Sequence, residues 1–73
     1  MTAYPMTASA CFEIVGTGQD VTIEGVPFDW NPAAGDRDMQ AARAVATWFG
    51  ENERADVSLI LIWVSTGPRK VAA

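Results

Sequence analysis

Residues 36–50, DRDMQAARAVATWFG, decide how the rest of this chain has to be arranged. Stepping about 100° per residue, Met39, Ala42, Val45, Ala46 and Phe49 share one side, with Ala41, Ala44 and Trp48 flanking them. Gln40, Arg43 and Thr47 fall opposite. That period predicts a helix over 36–49. The alanines favour it without side-chain entropy loss and let its axis come close to whatever it covers. Asp36 reads as the N-cap, Asp38 lies in the first turn where the helix dipole favours anions, and Gly50 suits a left-handed C-terminal stop.

Upstream, residues 10–15, ACFEIV, alternate in the manner of a strand. A glycine-containing loop, GTGQD, then leads into VTIEGVPF, which completes a β-hairpin. Val21 and Ile23 share a face, but Val26 and Phe28 fall out of phase with them. Gly25 is therefore read as a β-bulge that restores the phase, and Pro27 marks an edge strand. Trp30, in the irregular stretch DWNPAAG, is expected to cap the core. Residues 57–65, VSLILIWVS, form a third strand that is apolar on both sides. Regular alternation would put Val57, Leu59, Leu61 and Trp63 on one face and Ile60, Ile62 and Val64 on the other.

The order β-β-α-β predicts an α+β fold: a three-stranded antiparallel sheet in the order 2-1-3, with the helix across one face. Residues 1–73 make a single small domain, with 1–8 expected as a flexible arm and 67–73 as a flexible tail. Nothing in the chain is left to cover the second face of the sheet. Ile60, Ile62, Trp63 and Val64 are therefore expected to form an association surface, either in a homodimer or against an obligate partner.

A hydrophobic fraction of 49% against 19% charged residues fits a globular chain, and no apolar run approaches the ~20 residues of a membrane-spanning helix. The N-terminal stretch lacks the features of a signal peptide, and the lone Cys11 forms no disulfide within the chain, so a cytoplasmic location is expected. The chain contains no histidine, which removes imidazole catalysis and the commonest metal ligand. Cys11 sits in a strand without a basic neighbour and reads as packing. Asp29, Asp36 and Asp38 match no EF-hand spacing, and capping and the helix dipole account for the last two. The expectation is no catalytic residue, no metal and no cofactor: a protein that is not an enzyme.

The net charge is −4, and residues 1–36 hold five acids and no base. Such a surface disfavours free nucleic acid and favours a basic protein face. The hairpin, the AGD at the helix start, the helix AARAVATWFG and the strand SLILIWV together resemble some very small anti-CRISPR proteins of bacteriophages, over roughly residues 12–64. The resemblance implies an inhibitor from a phage or mobile element that binds and blocks a host defence complex such as a CRISPR effector. It also implies that Asp20, Glu24, Asp29, Asp36 and Asp38, acids able to imitate phosphates, meet that partner's basic surface. Trp30 is the exposed-aromatic candidate beside them. Two alternatives stand next to this: a homo-oligomeric assembly subunit built on strand three, and an antitoxin-like adaptor, since HicB-type antitoxins share the β-β-α-β order.

Overall fold

The computed structural model describes residues 3–69. It contains β1 (Tyr4–Ile14), β2 (Gln19–Trp30), a 3-10 turn (Pro32–Ala34), α1 (Arg37–Asn52) and β3 (Leu59–Pro68). The sheet is antiparallel in the order β2-β1-β3, and one helix lies across it, so the α+β reading and the strand order hold. The central strand β1 sends Ala8, Ala10, Phe12 and Ile14 to the helix side. Ile23, Val26 and Phe28 join them from β2, and Ala41, Val45 and Phe49 from α1. The alanines in both layers keep the two backbones close, and Val45 fills the contact completely. The buried stripe of α1 is rotated from the expected one: Ala41, Val45 and Phe49 are inside while Met39 is exposed.

Gly25 behaves as its place in the pattern predicts. Ala8 pairs with Val26 and Ala10 with Ile23, so Ser9 faces the extra residue of a bulge. Gly25 takes φ 73°, and its N–H donates to Ser9 Oγ at 3.2 Å. The bulge keeps Ile23, Val26 and Phe28 on one side of the sheet. A second bulge has no such marker. Phe12 pairs with Leu61 and Cys11 with Trp63, which leaves Ile62 as the extra residue of β3. The expected alternation along β3 is therefore corrected: Leu59, Leu61 and Val64 lie on the helix side, opposite Ile14, Phe12 and Ala10, while Ile60 and Trp63 pair with Glu13 and Cys11 of the other face.

Three boundaries differ from expectation. Tyr4–Ala8, read as part of an arm, belong to β1, paired with β2 along their length and from Met6 also with β3. Gly67 and Pro68 belong to β3, and Arg69 is anchored rather than loose; residues 1–2 and 70–73 lie outside the described residues. The Arg69 guanidinium donates to Met6 O at 3.3 Å and to Phe28 O at 2.7 Å, tying the end of β3 to its neighbour β1 and, across it, to β2. Finally, α1 passes through Gly50. The N–H groups of Glu53 and Arg54 reach Phe49 O, and Asn52 Nδ2 donates to Trp48 O, so the last turn is closed without a glycine stop.

Candidate functional site

The acidic residues do not gather into one patch. Asp20 and Asp29 stand nine positions apart on β2, about 30 Å along an extended strand. Asp29, Trp30, Asp36 and Asp38 belong to the end where the helix starts, and each is engaged there. Asp29 pairs with Arg69 at 3.3 Å, Asp38 lies 3.8 Å from Arg37, and Asp36 Oδ2 accepts from the Met39 N–H at 3.1 Å as the N-cap. Glu24 sits at the bulge, halfway along β2. At the hairpin end Asp20 pairs directly with Glu13, a like-charge juxtaposition that no described base relieves.

Trp30 is half-buried against the end of the core, as its capping reading required. It stacks on Tyr4 with ring centroids 5.5 Å apart, and the Arg37 guanidinium lies 5.9 Å from its ring. Its neighbour Gln40, on the side of α1 that reads as solvent-facing, holds the whole connection in place. Gln40 Oε1 accepts from the Asn31 N–H at 3.0 Å, while Nε2 donates to Asn31 O at 2.8 Å and Gly35 O at 3.0 Å. Only a primary amide supplies both an acceptor and two donors at one point. Gln40→Ala is expected to lower stability by about 1–3 kcal/mol in urea unfolding, with Gln40→Glu losing at least as much, because its second carboxylate oxygen would face the Asn31 and Gly35 carbonyls with no proton to donate. A loss below 0.5 kcal/mol would show the clamp to be ornamental.

Among the described residues, no element covers the face of the sheet away from α1. Along it run Thr7, Ser9, Cys11 and Glu13 of β1, flanked by Thr22 and Asp20 on β2 and by Ile60 and Trp63 on β3. Cys11 is buried here between its cross-strand neighbours Thr22 and Trp63, which is a packing environment. Ile60 is 53% exposed, Leu61 44%, Ile62 50% and Trp63 43%, an unusual run of four large apolar side chains at a strand edge. Of the four residues expected at an association surface, Ile60, Ile62 and Trp63 are thus presented. Val64 is not: the bulge turns it inward to pack on the core.

On the opposite edge, a groove of about 530 Å3 runs between β2 and α1, lined by Val26, Phe28, Gln40, Ala44 and Trp48 among others. Its charged members, Asp29, Arg43 and Glu51, are of mixed sign. Among the described residues no group of three or more His, Cys, Asp or Glu side chains converges on a point. No helix there is long and apolar enough to cross a membrane. Hydrogen bonding from Arg54 holds the Asp56 carboxyl below the usual carboxylate range. A depressed value adds stability above the unfolded carboxyl's pKa and loses it as pH falls through the folded one. Asp56 is fully exposed, so that contribution is small.

Set beside known protein families, curated proteins and solved structures, the chain matches none of them.

Proposed function

We propose that this chain is a non-enzymatic protein-binding module that inhibits by occlusion, in the manner of the small anti-CRISPR proteins whose element pattern it resembles, acting in the cytoplasm of the host cell. The observation that carries this reading is the uncovered sheet face, where Ile60 and Trp63 stand exposed beside the carboxylates of Glu13 and Asp20. A large aromatic at the centre of an apolar strip is the kind of anchor that dominates a protein interface. Unneutralised acids beside it favour a partner whose contact is ringed by basic residues and repel free nucleic acid. The groups available to chemistry on this face are the exposed carboxylates of Glu13, Asp20, Glu24 and Asp29, a few hydroxyls and a covered thiol, which suits recognition better than bond-making.

The test is direct binding of the purified chain to purified CRISPR effector complexes on a biosensor surface. The expected result is saturable binding to one of them. Trp63→Ala should weaken it by about 30-fold through faster dissociation, as an anchor residue would. Asp20→Lys should slow association, more so at low salt. Absence of saturable binding to every complex tried overturns the inhibitor reading; binding indifferent to Trp63→Ala removes this face from it.

A further inference from the structure

The edge of β3 and the face of the sheet are separate surfaces, and the edge makes its own demand. An edge strand presents unpaired N–H and C=O groups, and proteins guard such edges with charges, prolines and bulges. The edge strand β2 carries all three: Asp20, Glu24 and Asp29, Pro27, and the Gly25 bulge. By contrast β3, LILIWVSTGP, has no charged residue along its length and its only proline is the last residue. Its one bulge exposes Ile62 rather than a charge.

We infer that β3 pairs with β3 of a second copy of this chain, antiparallel about a two-fold axis near Ile62, joining two three-stranded sheets into one. Three observations point to a second copy rather than a different protein. In a two-fold contact each residue near the axis meets its own counterpart, so a charge there would repel itself. A chain of net charge −4 that keeps ten consecutive edge residues neutral satisfies that condition.

The second observation is Leu61. It lies on the helix side of the sheet, opposite Phe12, and yet is 44% exposed, because α1 leaves it uncovered. A two-fold axis perpendicular to the sheet puts both helices on the same side. With each helix near its central strand, they stand three strand spacings apart, about 14 Å. Packed helices approach to 8–10 Å, so a gap remains for side chains to fill. Leu61 from each copy points into it.

The third is area. The exposed parts of Leu61 and Ile62 amount to on the order of 200 Å2 per copy, about a quarter of the ~800 Å2 that each partner buries in a stable interface. The strand backbone and the flanking side chains supply more. The dimer is therefore at the small end, with dissociation in the micromolar range. This association does not depend on what the open face binds. It leaves Ile60 and Trp63 largely uncovered and sets two copies of that face side by side.

The test combines sedimentation equilibrium of the full chain from 1 to 200 µM with residue-resolved amide exchange at both ends of that range. The expected result is a monomer–dimer equilibrium in which, at high concentration, consecutive amides along β3 are protected. On dilution the outward-facing set, alternate residues on either side of the Ile62 bulge, becomes unprotected. Ile62→Lys should raise the dissociation constant by at least ~100-fold, since it opposes two like charges near the axis. A chain that is monomeric at 200 µM overturns the proposal. So does a dimer whose outward β3 amides exchange freely, because that pattern describes face-to-face stacking. Should Ile62→Lys fail to fold, the exchange pattern of the unsubstituted chain decides alone. Neither result bears on binding to an effector complex, which is read on the separate biosensor.

Discussion

Phe12→Ala is expected to remove most of the stability of this protein. Phe12 is buried at the centre of the middle strand, pairs with Val21 on one side and Leu61 on the other, and faces the helix. Truncating a buried phenylalanine costs about 3–5 kcal/mol, from lost transfer free energy and from the cavity left behind. A domain of this length has about 4–11 kcal/mol in total. The melting temperature should fall by about 15–30 °C, leaving a substantial unfolded population at 37 °C. Thermal melts followed by circular dichroism check this, with Phe12→Leu as the control expected to lose less than about 1.5 kcal/mol. A drop below 5 °C for the alanine variant would mean that the helix does not press on this part of the sheet.

Deleting Gly25 should by contrast be tolerated, although it removes a residue from the middle of a strand. The glycine is exposed and a side chain there would meet no neighbour, so contacts play no part. What it absorbs is one residue of phase. With that residue removed, Val21, Ile23, Val26 and Phe28 fall into unbroken alternation and Ser9 faces Glu24 alone, so both sets still face the helix. The deletion loses the local twist of the bulge and the Gly25–Ser9 hydrogen bond but no core contact, and the variant is expected to unfold cooperatively. Gly25→Asn, which tolerates the left-handed backbone, should melt within a few degrees of the parent, and Gly25→Val clearly lower, since a β-branched side chain is strained at φ 73°. If the deletion variant fails to fold cooperatively, the twist supplied by the bulge, and not alternation alone, positions the core.

These two variants also separate what could be read along the chain from what could not. The Gly25 bulge was legible because a glycine stands where the apolar phase breaks. The Ile62 bulge was not, since every residue from Leu59 to Val64 is apolar and a slip by one leaves no mark in the pattern. That one missed residue is why Val64 was assigned to the surface and lies against the core. The N-cap at Asp36 and the order of the strands follow from local composition, whereas Gln40 and Arg69 act over separations of 9 and up to 63 residues and look like ordinary polar surface. Pro5 hid the first half of β1 in the same way: its ring forbids one hydrogen bond, but its carbonyl still accepts from the Arg69 N–H at 3.3 Å. The acids were visible as a list of residues. Their partners, which split them between the two ends of the sheet, were not.

The Met6–Pro68 pairing has a mechanical consequence. The start of β1 and the finish of β3 lie side by side, so tension applied across them opens the two strands like a zipper. One pair is loaded at a time, from Met6 and Pro68 toward Ile14 and Leu59. Strands pulled lengthwise past each other would instead share the load over the whole ladder. Arg69 is the first attachment to feel the force, and because its guanidinium also grips the Phe28 carbonyl, the pull reaches all three strands before any of them yields. Once that grip fails, little remains to stop the tear. A threading machine that seized the chain at Arg69 would meet a single latch, and then a core that comes apart row by row.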